Sequence, residues 1–254
     1  MVPKKMLLYS RILDVPHGFS CRRGGASQGP YSSLNLSRTV GDAPWAVEDN
    51  VRRFSEETNL RRPIITVHQV HGTRLITPEP RQKAEMMPEA SEDADGLISR
   101  NRDFALGVTT ADCVPILIHA TDVGAVAAVH AGWRGTRARI AAVAVESLVR
   151  DFGADPSKVH VAIGPYIGPC CFEVGVDVAD EFRNGFPKAV VSCRDQHRFV
   201  DLGLANRSVL AAAGVPEVQI DDLRRCTRCE EDLFFSHRRD RGKTGRHIAY
   251  IALP

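Results

Sequence analysis

Ala127-Ala-Val-His-Ala-Gly-Trp-Arg-Gly-Thr136 decides how this chain is read. An apolar run from Gly124 to Val129 drives straight into a histidine, and a Gly-Trp-Arg-Gly turn with a helix-like segment follows. Such a run reads as a buried strand, and α/β folds place their chemistry where strands end. Val67-His-Gln-Val-His-Gly72 and Thr109-Thr-Ala-Asp-Cys-Val114 have the same character. Together the three segments offer His71, Cys113 and His130, a ligand set for one metal ion.

Working outward, residues 136–152 read as a helix, because Ile140, Ala144 and Leu148 fall four apart on one face and Gly153 stops the pattern. Asp42-Ala-Pro44 opens another helix toward Thr58, with Asp42 as cap and Pro44 in the first turn. Residues 177–186 and 203–213 also look helical. Short apolar runs predict strands at 63–68, 104–109, 114–119, 125–130, 159–163 and 247–253. Residues 78–93, with Pro78, Pro80 and Pro88, read as a surface excursion. They are not a linker, because the site draws residues from both sides of them. Strand runs lie close together in places and are separated by helices in others. The expectation is therefore α/β (α+β), with mixed β-sheet layers flanked by helices, in one domain spanning residues 1–254.

Composition narrows the function classes. The chain has 254 residues, 43% of them hydrophobic, which suffices for a full core without staples. Lys+Arg 33 against Asp+Glu 31 leaves a net charge of +2, short of the basic excess of a nucleic-acid binder. Residues 236–246 are Arg-rich, but Glu230, Glu231 and Asp232 precede them, so the segment reads as a local anion site. No stretch approaches the roughly 20 apolar residues of a membrane span, and the N-terminal Met1-Val-Pro-Lys-Lys-Met-Leu-Leu-Tyr-Ser10 has too short an apolar core for a signal peptide. The expectation is a cytoplasmic protein, and a monomer, since no exposed apolar helix stripe stands out. Seven irregularly spaced cysteines, reduced in that compartment, favour metal or catalytic use over disulfides.

Imidazole and thiolate suit zinc, and three protein ligands leave a fourth position open. Spacing alone leaves three readings of His71, Cys113 and His130: metal ligands, unrelated polar residues at strand ends, or a Cys113 nucleophile with a histidine base. His68 is three residues from His71 and would face the other side of a strand. His71 is preferred because His71-Gly72 supplies a close turn. His119 ends its own strand and reads as a surface or a satisfied histidine. Asp112 is a general base, a partner to a ligand, or a turn cap. Arg22 with Gly24, Gly25 and Ser27 forms a glycine-rich loop suited to an anion. Asn35, between two leucines, contacts a ligand hydroxyl or caps a turn. Phe172 stacks on a planar base or packs in the core. Adjacent Cys170 and Cys171 rarely pair with each other. Cys226-Thr-Arg-Cys229 is half of a zinc knuckle or a redox pair. No second cysteine pair follows it, so it reads as reduced structural thiols.

These motifs resemble the YfiH-type laccase-domain family, also called polyphenol-oxidase-like and regarded as purine nucleoside phosphorylases. The matching segments are Cys21-Arg-Arg-Gly-Gly-Ala-Ser27, Ser33-Leu-Asn-Leu36, Val40-Gly-Asp42, Gln69-Val-His-Gly72, Ala94-Asp-Gly-Leu-Ile98, Thr110-Ala-Asp-Cys113, His130-Ala-Gly-Trp-Arg-Gly135, Ile163-Gly-Pro165, Cys170-Cys-Phe-Glu-Val174 and Phe234-Phe-Ser-His-Arg-Arg239 with Thr244-Gly-Arg246. The resemblance implies a mixed-sheet α/β fold and a zinc ion on His71, Cys113 and His130. It also implies phosphorolysis of adenosine, inosine, guanosine and methylthioadenosine with inorganic phosphate, and deamination of adenosine. The chain departs from its relatives at Val51, where Arg often follows the helix asparagine, and at Ser37 and Thr39, where Gly and His are common.

For phosphorolysis, phosphate has to sit against C1′ of the ribose. The loop at residues 22–27 and the start of the helix after Trp133-Arg134 are the expected holders. Three rivals stand beside this reading. A copper polyphenol oxidase would use His₂Cys with a weak axial ligand, but nine scattered histidines with no His-x-His pair do not supply the further clusters that oxygen reduction needs. A non-catalytic module would bind or edit cell-wall precursors without turnover. A cysteine hydrolase would pair Cys113 with His130.

Overall fold

The structure is a computed structural model, and it describes residues 6–79, 86–192 and 197–254. Two six-stranded sheets pack face to face. The first runs, in spatial order, Leu7–Leu8, His17–Ser20, His247–Ile251, Ala105–Thr110, Ile64–His68 and Glu89–Asp93. The second runs Ile220–Asp222, Val159–Ile163, Val114–Ala120, Ala125–Ala131, Gly96–Ser99 and Leu75–Ile76. Both sheets are mixed. Ile64–His68 is parallel to both its neighbours, whereas His247–Ile251 is antiparallel to both of its own. In the second sheet only the two edge strands pair in parallel.

Side-chain alternation accounts for the layers. Val114–Ala120 is buried throughout. Ile116 and Ile118 join the core beneath Ile140, Ala144 and Leu148 of helix Ile140–Phe152, while Leu117 faces the other sheet. Val126 and Ala128 likewise point between the sheets, and Ala127 and Val129 point to the helices. In the first sheet Ile65 and Val67 face inward, and Ile64 packs with Val47, Val51 and Phe54 of helix Pro44–Thr58. Strands covered on both faces read as continuous apolar runs. Each fully buried Ile, Leu or Phe contributes about 1.5–3 kcal/mol. The mixed sheet layers flanked by helices are those expected from the sequence.

Local chemistry moves several boundaries. Helix Pro44–Thr58 has Pro44 in its first turn, but Ala43 is the N-cap. The Asp42 carboxylate instead accepts bonds from Ser27 Oγ at 2.6 Å and Asn35 Nδ2 at 2.9 Å. The helix expected over 136–152 is two helices, Trp133–Arg137 and Ile140–Phe152, parted at Arg139, whose φ is 62°. The excursion at 78–93 ends in a strand, Glu89–Asp93, parallel to Ile64–His68; its acidic composition masked a strand. Residues 80–85 of that excursion, and residues 1–5, lie outside the described residues.

Three times the chain passes from the first sheet to the second: between His68 and Leu75, between Asp93 and Gly96, and between Thr110 and Val114. These crossings carry His71, Asp95 and Cys113 to the seam between the sheets.

Candidate metal centre

His71, Cys113 and His130 come together at that seam, with one ligand atom from each within 4.8 Å of the others. Cys113 Sγ lies 3.9 Å from His71 Nε2, and the two imidazoles meet edge to face with centroids 4.8 Å apart. A zinc ion with Zn–N near 2.0 Å and Zn–S near 2.3 Å holds such atoms about 3.3–3.6 Å apart, so small side-chain movements complete the set. The surroundings are shaped for it. A Cβ on Gly132 would stand 2.8 Å from His71 Cδ2 and 3.3 Å from Cys113 Sγ. His71 itself adopts the left-handed conformation, with φ 62°. It therefore leaves the strand direction that ends at His68, and the opposite-face argument does not separate the two histidines.

One buried carboxylate organises the cluster. Asp95, fully buried, accepts a bond from His130 Nδ1 at 2.8 Å, which leaves Nε2 of that ring for a ligand role. Its two oxygens also accept the N–H groups of Val70 at 3.3 Å, His71 at 2.9 Å and Gly72 at 2.6 Å. Asp95 thus fixes both a tautomer and the backbone turn that presents His71, the arrangement that orients metal-bound histidines. Burial alone would raise its carboxyl, but the bonds from His130 and Gly72 outweigh that and hold it below its ordinary value. Burial also pushes the Cys113 thiol up, yet His130 and His71 bring it down to about 6. His130, which burial would lower, is raised to about 9 by the Cys113 charge and by Asp95.

The cluster opens into a cavity of about 770 Å³, within the roughly 300–1,000 Å³ of small-molecule sites. Its wall carries three guanidinium residues, Arg38, Arg238 and Arg246, two aromatic ones, Trp133 and Phe172, and the imidazoles of His68 and His237. Arg238 stands 5.4 Å over the Phe172 ring. The Arg-rich segment at 236–246 therefore does supply cations, Arg238 and Arg246, to the cavity wall. Phe172 presents a ring to the cavity rather than only packing in the core.

Other expected binding residues lie elsewhere. Arg22 and Gly25 do not line the cavity. The Arg22 guanidinium donates to the carbonyls of Ser32 at 2.8 Å and Glu231 at 2.9 Å. Gly25 is a packing glycine, whose added Cβ would meet Ser33 O at 2.1 Å and Asn50 Oδ1 at 2.5 Å. Asn35 is fully buried; its Oδ1 accepts the N–H groups of Ser37 and Arg246, so it braces cavity residues without facing the cavity. Arg134 folds over its neighbour Trp133 at 4.3 Å, on a helix of only five residues. Asp112, at φ 98°, lines the cavity, but both its oxygens are engaged, by Thr227 Oγ1 at 2.6 Å and Arg238 N–H at 2.7 Å. The carboxylate bonded to His130 is Asp95, not Asp112. His119 is satisfied as expected, with Nδ1 3.0 Å from Asp14. Asp95 had two signals in the sequence: it lies in the matching segment Ala94-Asp-Gly-Leu-Ile98, and its Asp-Gly pair opens the buried strand Gly96–Ser99.

A family model described as "Multi-copper polyphenol oxidoreductase laccase" matches residues 16–254. The protein named purine nucleoside phosphorylase YlmD, from Geobacillus stearothermophilus, is 41% identical over 244 residues, covering 92% of this chain and 88% of the relative. One named adenosine deaminase RL5, from an unknown prokaryotic organism, is 35% identical over 260 residues and 99% of each chain. The crystal structure of the hypothetical protein YfiH of Bacillus licheniformis superposes with a TM-score of 0.85 at 34% identity, over 94% of this chain and 92% of that one. The chain belongs to the laccase-domain family of YfiH-type proteins.

Proposed function

We propose that this protein is a zinc-dependent purine nucleoside phosphorylase that also deaminates adenosine. The observation that carries the reading is the convergence of His71, Cys113 and His130 at the edge of a cavity whose wall joins guanidinium groups to aromatic rings. Relatives named for these two activities support it. The donor set of two imidazoles and one thiolate fits an open zinc site. Zinc bound there supplies a Lewis acid at the reacting end of the cavity.

The rest of the work falls to the chain. Arg38, Arg238 and Arg246 hold inorganic phosphate and shield its charge, so that one of its oxygens can approach C1′ of the ribose. Phe172 and Trp133 offer faces for the purine. His68 and His237 stand on the wall to pass a proton to the departing purine, or to the amino group lost in deamination. Asp95 keeps His130 in one tautomer, and Asp112 fixes the turn that carries Arg238. The set lacks what a multicopper oxidase needs: among the described residues no further group of metal-ligating side chains contains histidine.

The test is a product assay. Purified protein is incubated with adenosine and phosphate, with and without a chelator, and adenine, inosine and hypoxanthine are separated by chromatography. Metal-dependent appearance of adenine and inosine supports the reading. Oxygen uptake with phenols and intact adenosine would overturn it, and turnover that survives full metal removal would point to a Cys113 hydrolase.

A further inference from the structure

A second cluster of ligating side chains stands apart from the first. Cys170, Cys171, Cys226 and Cys229 place their four sulfur atoms within 4.8 Å of one another. The pair that Cys226-Thr-Arg-Cys229 lacks downstream precedes it in the chain. Two parallel neighbouring strands bring the pairs together: Val159–Ile163 leads into the loop bearing Cys170 and Cys171, and Ile220–Asp222 leads into the turn bearing Cys226 and Cys229. The loops are stapled by their backbones. Tyr166 N–H donates to Arg225 O at 3.1 Å, and Thr227 N–H donates back to Tyr166 O at 3.0 Å.

We infer that these four cysteines bind a structural zinc ion, independently of His71, Cys113 and His130. Cys171 and Cys229 are 3.3 Å apart at sulfur, and Cys170 and Cys229 are 3.6 Å apart. Tetrahedral zinc with bonds near 2.3 Å sets its sulfur ligands about 3.8 Å apart. The Gly168 N–H donates to Cys226 Sγ at 3.3 Å. A Cβ on Gly168 would lie 3.3 Å from Cys170 Sγ and 3.3 Å from Cys226 Cβ, so a glycine is what lets the loops close around the sulfurs. Four soft ligands select zinc among common divalent ions and leave no open position, which makes the site structural rather than catalytic.

The placement says what such an ion holds. Phe172, next to Cys171, lines the large cavity. Thr227, next to Cys226, bonds Asp112, and the Thr227 carbonyl accepts a bond from Arg239 at 3.0 Å. Zinc at the four cysteines therefore locks two cavity walls to each other.

Metal analysis with native mass spectrometry tests this on the full chain. The wild type is expected to carry two zinc ions, and a Cys226→Ser/Cys229→Ser variant one. A His71→Ala/His130→Ala variant keeps one ion, and its X-ray absorption spectrum shows sulfur ligands alone. That second variant leaves the four cysteines intact, so the proposal stays testable if the cysteine variant does not fold. Cobalt substitution of the same protein should give the intense charge-transfer bands of a tetrathiolate. A single zinc per chain that disappears from the His71→Ala/His130→Ala variant overturns the inference. So does a mass lower by two hydrogens, the mark of a Cys171–Cys229 disulfide.

Discussion

Replacing Asp95 with Asn keeps the shape of the side chain and removes its charge. Asp95 Oδ1 accepts from His71 N–H and His130 Nδ1, and Oδ2 accepts from Val70 and Gly72 N–H. An amide has only one oxygen, so in either orientation its NH₂ group faces two donors. Each lost bond to a charged acceptor is worth about 1.5–3 kcal/mol, which puts the loss near 3–6 kcal/mol before relaxation. That is a large share of a domain's usual stability of about 5–15 kcal/mol. Because the same change frees the His130 tautomer and the turn at His71, zinc affinity should fall about 10–100-fold. Urea denaturation of the metal-depleted protein, with a competitive zinc titration beside it, measures both effects. An Asn variant within about 0.5 kcal/mol of wild type, the range of ordinary surface changes, and with unchanged zinc affinity would refute the role given to Asp95.

Other outcomes follow from the same geometry. Gly132→Ala suits the local backbone, with φ −66°, but drives a methyl against His71; zinc affinity should drop about 10–100-fold with the fold retained, and an unaffected titration would contradict the cradle. Arg238→Met and Arg246→Met should each raise the KM for phosphate about 10–100-fold, the cost of one charged hydrogen bond; initial rates at varied phosphate concentration read this directly, and an unchanged KM removes that arginine from the phosphate site. His247 is buried, and burial lowers it from 6.5 to about 3, so the folded protein holds it neutral while the unfolded chain protonates it below pH 6.5. Stability from this group is complete above pH 6.5 and is lost toward pH 3, at about 1.4 kcal/mol per unit. A His247→Gln variant should show a pH slope shallower by one proton between pH 6.5 and 3; parallel slopes would rule this out.

Much of the architecture was legible because the buried strands have no polar face to confuse the reading. Val114–Ala120 and Ala125–Ala131 are apolar runs closed by turns, and their boundaries fall within a residue or two of expectation. The division into two sheets was not legible, since it rests on pairings between residues far apart, such as His247 with Thr110. His71, Cys113 and His130 stood out as imidazoles and a thiolate at strand ends. Asp95 sat within an acidic run, Glu92-Asp-Ala-Asp95, that looks solvated until its carboxylate is seen buried. The glycine-rich loop at Arg22 misled because close packing and anion binding demand the same residue type. Only the neighbouring atoms, Ser33 O and Asn50 Oδ1, separate the two uses. Of the cavity arginines, Arg238 and Arg246 lie in the segment read as an anion site, but the sequence did not show which cavity they reach: Arg246 arrives there because Asn35, 211 positions away, anchors its backbone.

Diffraction data collected at the zinc absorption edge, from crystals of the protein purified without added chelator, test the central claim most directly. The account predicts an anomalous peak between His71, Cys113 and His130, facing the cavity lined by Arg38, Arg238 and Arg246. Flat anomalous density there, in protein that turns over adenosine with phosphate, would contradict it.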